Sequence, residues 1–337
     1  MTTGNDENII LDNMEIERAE HYKYLGDEIT ADGKLDKTIE KRKATITGMT
    51  AELNQILEEI DYVNKFRAVI QYYKSIIAAK LLTNSETWNQ ISGTNIKELE
   101  QIQAMTLKRL LRLPQGTPTN GLRNELGILT VKSQINMKKL MFWHRVINMK
   151  DHMLVRKIMV EQMEKPGSTW YGGVEKVAEE LKLPKEAAIL QTISRERWRR
   201  MIIEAVKKSE NEDLKEWVKN SKKCKDMVPN LELKEYLVEL EPEAAMTIMK
   251  ARLGMTQLKT NYRNMHTDVR CHLCGEEDDM QHLLGCPEEN DETEEKWTTQ
   301  EIKSTIFILA ENPKSHNQKL KNLAYSIIQK LKNRSVS

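Results

Sequence analysis

Apolar residues recur at helical spacing along most of this chain. Between residues 35 and 60 they repeat every seven positions, and Arg42 interrupts the apolar face. The repeating residues are Ile39, Ile46, Leu53 and Ile60, with Leu35, Met49 and Ile56 at the companion position. Amphipathic stretches follow at 65–82 and 95–113, and residues 131–149 are apolar almost all round. The pattern predicts a mainly α protein, in which the helix at 131–149 is buried against two neighbours.

The first 33 residues follow a different pattern. Ile9-Ile10-Leu11 leads to the turn pair Asp12-Asn13, and a second extended stretch from His21 to Leu25 ends at Gly26. Alternating residues punctuated by Asp, Asn and Gly are typical of short strands joined by turns. We therefore expect a short N-terminal β hairpin ahead of a helical bundle.

Composition supports the helical prediction and excludes some classes of protein. Aromatic residues make up 5% of the 337 residues, whereas Met alone reaches 17, which favours a helical core of Leu, Ile and Met. No apolar run approaches the roughly 20 residues that span a bilayer, so we expect no membrane partner. Four Cys are too few for a disulfide scaffold, which indicates a nuclear or cytoplasmic protein.

Three of the four cysteines share one window with a histidine. Cys271, Cys274, His282 and Cys286 follow the pattern C-x2-C-x7-H-x3-C. Zinc prefers four tetrahedral N and S ligands, and residues four apart can project from one helical turn. The spacing therefore predicts a structural Zn²⁺ site, since four protein ligands leave no position for a catalytic water. The alternative is a set of three unligated thiols and a surface histidine.

Any basic surface must be local, because 52 Lys and Arg against 51 Asp and Glu give a net charge of +1. Between Ala104 and Lys157, eleven basic residues face only two acidic ones, a balance of +9 (11 − 2). Further basic blocks lie at 37–43 and at 195–200, around Trp198. Such blocks are either solvated helix faces or parts of a groove for phosphates. Trp198 is correspondingly either a core residue or a platform for a base.

No motif of a known catalytic chemistry is present. G-x-x-x-x-G-K-[ST], H-E-x-x-H and G-x-S-x-G are all missing from the sequence. The carboxylate pair Asp278-Asp279 lies inside the predicted zinc loop, within an acidic stretch at 276–295 that contains no Lys or Arg. We expect no catalytic site in this chain alone.

The order of several motifs resembles one family, the LINE-type (non-long-terminal-repeat) retrotransposon reverse transcriptases. Residues 22–26 (YKYLG) and 29–33 (ITADG) resemble the segment that follows the palm in this family, and residues 81–88 (LLTNSETW) resemble its "L-x-x-G-S-E-T-W". Asn84 stands where Gly is usual. The resemblance continues through a basic-apolar helix, LKRLLRL at 107–113, the connector motif T-P…E-L-G-I-L at 117–129, and ARLGM at 251–255, which precedes the Cys-His cluster.

The resemblance implies a nucleic-acid-binding, non-catalytic C-terminal portion of such a reverse transcriptase. RNA or DNA, and other retroelement proteins, would be its partners. A primer-grip-like position is implied for Tyr24, Leu25 and Gly26. The side chains expected to face a nucleic-acid backbone are Lys37, Lys41, Arg42, Lys108, Arg109, Arg112, Lys138 and Arg145.

Two further expectations follow from the resemblance. Only 21 residues precede Tyr22, so the palm aspartates of the family would lie upstream of this chain. RNA-directed DNA polymerase activity is accordingly expected only as part of a longer protein. An alternative from another functional class is a domesticated or decayed remnant that acts as a helical protein-interaction scaffold, which the near-zero net charge favours.

These patterns divide the chain into five consecutive segments. In order they are a primer-grip-like β hairpin at 1–33, a thumb-like helical bundle at 34–115, a basic helical connector at 116–260, a CCHC zinc knuckle at 261–290, and an acidic segment with a C-terminal helix at 291–337.

Overall fold

Helices make up most of the chain, as predicted. The computed structural model describes residues 9–11, 14–16, 21–24, 26–30, 33–59, 65–89, 91–262, 268–286 and 297–336. The α-helices are α1 (Asp36–Glu59), α2 (Lys65–Tyr72), α3 (Ala78–Leu81), α4 (Gly93–Leu110), α5 (Thr119–Leu126), α6 (Val131–Ile147), α7 (Leu154–Glu164), α8 (Trp170–Glu180), α9 (Ala187–Thr192), α10 (Arg195–Asn220), α11 (Tyr236–Glu239), α12 (Pro242–Arg252), α13 (Met280–Gly285), α14 (Thr299–Lys303) and α15 (Asn317–Val336). None of these described helices is both long enough and apolar enough to cross a membrane.

The N-terminal strands form two antiparallel pairs. Strand β1 (Ile9–Leu11) pairs with β2 (Met14–Ile16), and β3 (His21–Tyr24) pairs with β4 (Asp27–Thr30). Gly26 has a φ of +92°, a left-handed backbone conformation that suits glycine in the tight turn between β3 and β4. The predicted turn pair at residues 12–13 lies outside the described residues.

Helix α1 follows the predicted heptad spacing. It begins at Asp36, one residue after the expected start, and Ile39, Ile46 and Leu53 are buried, whereas Ile60 lies outside the described residues. Ile56, at the companion position, is instead 44% exposed. The second predicted helix is also present, as α2 continues through a π-helical turn (Tyr73–Ile77) directly into α3. Apolar periodicity therefore located these helices correctly.

The described residues group into two compact units, each drawn from separate stretches of sequence. The first unit takes described residues of 1–54, 72–107 and 129–209. Its core is built on α6, whose fully buried Trp143 packs edge-on against Tyr171 of α8 and Trp198 of α10. Helix α6 packs against α7, α8 and α9, so it has more neighbours than the two predicted.

The second unit takes described residues of 55–71, 108–128 and 210–337. Here α12 packs against α11 and α15, and Leu320, Leu323 and Ile327 of α15 are completely buried. The unit also contains a buried charge network centred on Arg252, which is 0% exposed. Arg252 Nε donates to Glu125 at 2.8 Å, and one of its terminal nitrogens donates to Glu311 at 2.5 Å.

Candidate functional site

The Cys-His window folds as a compact knuckle. Cys271 accepts a hydrogen bond at its carbonyl from the Gly275 amide at 3.0 Å, and its own amide donates to the Glu276 carbonyl at 2.7 Å. Gly275 has a φ of +80°, so the tight turn uses a conformation that glycine adopts without strain. Asp279 caps α13 by accepting from the amide of His282 at 2.8 Å. These local bonds fix the positions from which the ligand atoms project.

The four predicted ligand residues converge on one point. The ligand atoms of Cys271, Cys274, His282 and Cys286 all lie within 4.8 Å of one another, so this group can hold a metal ion. The Cys274 sulfur lies 3.3 Å from His282 Nε2 and 3.9 Å from the Cys286 sulfur. His282 lies in α13 and Cys286 directly follows it, as the four-residue spacing predicted.

Local hydrogen bonds favour the thiolate form of Cys271. Burial alone would raise the pKa of Cys271, but amide donors from Cys274 and Leu273, together with His282, lower that pKa to about 7. A metal binds the thiolate form, so a lowered thiol pKa assists binding at neutral pH.

A second site lies between α6 and α10, in the first unit. A cavity of about 610 Å³ is bordered by four basic side chains and one carboxylate, Glu86. The basic residues are Lys138, Arg145, Arg195 and Arg199. They give the cavity lining a charge of +3 (4 − 1), so this is a local cationic surface on a chain whose net charge is +1.

Three of these cations are available to a ligand. Arg145, Arg195 and Arg199 are exposed, and none of them has an acidic partner among the residues that the structure describes. Lys138, in contrast, pairs with Glu86 at 2.9 Å and also donates to the Leu82 carbonyl at 2.5 Å. We call this set of four basic residues, with the cavity between them, the cationic groove.

Comparison with protein-family models, curated proteins and solved structures finds no match to this chain. Its function is therefore inferred from the chemistry of these two sites and from the motif resemblance.

Arg42 has a structural role instead of the predicted backbone contact. Its side chain is 5% exposed, forms an ion pair with Asp27 and donates to the Leu81 and Thr83 carbonyls. The guanidinium also lies 4.6 Å from the centre of the Trp88 ring. Because its hydrogen-bond donors are used inside the protein, Arg42 is removed from the set of nucleic-acid contacts. Its burial also explains why a basic residue interrupts the apolar face of α1.

Lys108 is likewise turned inward. It is buried, and its ammonium donates to the Gln115 carbonyl at 2.8 Å, which supports the chain after α4. Burial lowers the pKa of this ammonium. Lys108 is therefore also withdrawn from the predicted contacts, whereas Arg109 and Arg112 of the same segment are exposed.

The remaining predicted contacts stay on the surface but do not line the cationic groove. Lys37 is exposed, and Lys41 is 63% exposed while it forms an ion pair with the buried Glu28. Tyr24 is 56% exposed on β3 and Gly26 forms the following turn, whereas Leu25 lies outside the described residues. Their predicted role at a primer end stays a prediction.

Sequence reasoning missed part of the cationic groove and left two interpretations open for Trp198, a core residue or a platform for a base. Trp198 is completely buried and donates to the Leu140 carbonyl at 3.0 Å, so the core interpretation is correct. Arg195 and Arg199, on either side of it, were noted as a basic block but not placed among the backbone contacts. Their spacing of four puts both on one helix face, but Arg197 and Arg200 also share a face at a spacing of three, so helix periodicity alone does not select the pair that lines the cavity.

Proposed function

We propose that this chain is the nucleic-acid-binding, non-catalytic portion of a LINE-type retrotransposon reverse transcriptase. The observation that carries the proposal is the cationic groove, where exposed arginines of α6 and α10 border one cavity. Lys and Arg that release counterions from phosphates supply most of the affinity of a protein for nucleic acid. The order of family-like motifs along the chain supports the retroelement origin, and RNA or DNA would be the partner.

The test is a binding titration with fluorescein-labelled RNA and DNA strands of about 20 nucleotides, longer than common single-strand site sizes. The double variant Arg195→Gln and Arg199→Gln removes two groove cations and should weaken binding at least about tenfold at low salt. A matched control is Arg197→Gln with Arg200→Gln, which removes two exposed arginines of the same helix that do not line the cavity. Equal losses in both variants would contradict a role for the groove.

We further propose that the Cys-His cluster holds a structural Zn²⁺. With zinc bonds of about 2.3 Å to sulfur and about 2.0 Å to nitrogen, a tetrahedron separates two sulfurs by about 3.8 Å and a sulfur from a nitrogen by about 3.5 Å. The 3.9 Å and 3.3 Å separations at Cys274 are close to these values. Three thiols and one imidazole are also a donor set that zinc prefers.

Metal analysis of the purified protein tests the zinc proposal. We expect about one zinc per chain, which Cys274→Ser abolishes. Cys224→Ala is the matched control, because this buried thiol lies outside the cluster, and it should leave the zinc content unchanged. A folded wild-type protein without bound metal would contradict the proposal.

A helical protein-interaction scaffold is the second candidate function. One surface favours it: Leu154, Val155 and Ile158 of α7 are 70%, 44% and 45% exposed. Contiguous exposed apolar residues of this kind often mark protein contacts. If neither RNA nor DNA binds at low salt, the scaffold becomes the better account.

A further inference from the structure

The cationic groove combines its charges with an apolar lining. Met137, Met141 and Phe142 of α6 line the cavity and are partly buried, and the buried Ile202 of α10 lines it as well. A site that bound only phosphates would gain little from these side chains, since phosphate contacts need donors and charge. The lining therefore indicates a ligand that is apolar in one part and anionic in another.

Phe142 is held in a fixed orientation in this lining. Its ring meets the Trp170 ring edge-to-face, with centroids 5.5 Å apart and planes at 86°. Trp170 is itself fixed by donating from Nε1 to the Glu86 carbonyl at 2.9 Å. A rigid aromatic ring beside exposed arginines is the arrangement with which proteins stack bases while holding the backbone.

The size and the apolar lining of the cavity favour single-stranded over double-stranded nucleic acid. Its volume of about 610 Å³ is in the range of pockets for small ligands, roughly 300–1,000 Å³. A duplex keeps the faces of its bases stacked inside and presents only their edges, so it cannot fill an apolar cavity of this kind. An unpaired base exposes both faces and can enter.

We infer that the cationic groove binds single-stranded nucleic acid, with an unpaired base against Phe142 and neighbouring phosphates on Arg145, Arg195 and Arg199. This inference rests on the proposed function and narrows it to one class of substrate. Sequence preference is expected to be weak, because every base has a face that can stack.

The experiment compares a labelled mixed-sequence strand of about 20 nucleotides with the blunt duplex of the same sequence. Phe142→Leu keeps the apolar volume but removes the ring, and it should weaken single-strand binding about fivefold while leaving duplex binding unchanged. Phe142→Tyr retains the ring and should bind as the wild type does, and unchanged duplex binding by Phe142→Leu shows that this variant is folded. Neither variant changes a charge, so the dependence on salt should stay the same in both.

The outcomes separate this inference from the proposed function. Tighter binding of the single strand, lost in Phe142→Leu and kept in Phe142→Tyr, supports an unpaired base in the cavity. If duplex and single strand bind equally and Phe142→Leu alters neither, the inference is overturned while nucleic-acid binding stands. If neither form binds at low salt, the proposed function itself is wrong.

Discussion

Arg252 shows how a single charged residue can be both fully buried and fully satisfied. Its guanidinium donates to Glu125 and Glu311 and to the Ile306 carbonyl at 2.7 Å, and Tyr236 donates to Glu125 at 2.6 Å. Removing such ions from water costs several kcal/mol each, which only complete pairing offsets. Loss of Arg252 or of Glu125 alone should therefore lower the stability of the second unit.

Arg252→Met should destabilise the protein by about 3–5 kcal/mol, because it leaves Glu125 buried without its cation. Adding Glu125→Gln to this variant should restore part of the loss, since the unpaired charge is then gone. The measurement is urea unfolding, with Lys250→Met on the same helix as a control expected to stay within about 0.5 kcal/mol. A loss in Arg252→Met no larger than the control's would contradict the account.

Lys139 is a single residue that makes the stability of the folded protein depend on pH. It is buried, its ammonium donates to the Asn89 carbonyl at 3.2 Å, and burial lowers its pKa from 10.5 to about 8. Because the folded pKa lies below the unfolded value, the unfolded chain binds more protons between about pH 8 and pH 10.5. The cost of burying the charge is thus complete below pH 8 and disappears as the pH rises to 10.5.

Lys139→Met should be on the order of 3 kcal/mol more stable than the wild type at pH 7, and this gain should shrink towards zero near pH 10.5. Denaturant unfolding of both proteins across this pH range gives the difference in their unfolding free energies. The contributions of the other titrating groups cancel in this difference. If the difference in stability does not change with pH, burial of the charged Lys139 ammonium does not destabilise the folded protein.

At the scale of elements, local patterns were enough to place α1 to α4, α6 and the four residues of the Cys-His cluster. Apolar spacing located the start of α1 to within one residue, and the Cys-His spacing selected four residues that do converge. The apolar spacing acts over a few helical turns and the paired cysteines over one tight turn, where the local geometry of the chain is fixed. Burial of Arg42 and Lys108 depends instead on carbonyls and carboxylates brought together by folding, so a count of basic residues could not reveal it.

Asn84 illustrates the same point within one motif. The family-like segment has Asn where Gly is usual, and the structure gives Asn84 a φ of +57°. Asn is one of the few residues other than Gly that adopt this left-handed conformation readily. The left-handed backbone at this position is therefore one that both Asn and Gly can adopt.

The end of α5 provides an element-scale prediction. Gly127 follows the helix with a φ of +61°, and a β-carbon there would lie 2.6 Å from the Leu233 backbone nitrogen. Gly127→Ala should therefore cost at least about 2 kcal/mol in unfolding free energy, from backbone strain and from the clash. Gly116→Ala is the matched control, because no atom lies within 4 Å of its added carbon, and it should change stability little.

At the scale of the whole molecule, the distribution of charge says more about nucleic-acid binding than the net charge does. A net charge of +1 gives no general attraction to nucleic acid, whereas the groove concentrates four cations beside one carboxylate. Surface charges act over a Debye length of about 8 Å at physiological salt, so such a local surface determines binding. The sequence revealed both basic blocks, but their convergence depends on how α6 packs near α10, which no local pattern encodes.

The dependence of nucleic-acid affinity on salt tests the central claim most directly. A plot of log affinity against log salt has a slope of about −0.7 per phosphate neutralised on a single strand. We predict a steep negative slope for the wild type, a slope reduced by about 1.4 for Arg195→Gln with Arg199→Gln, and no reduction for Arg197→Gln with Arg200→Gln. No binding at low salt, or equal slopes for all three proteins, would contradict the claim that this groove binds a phosphate backbone.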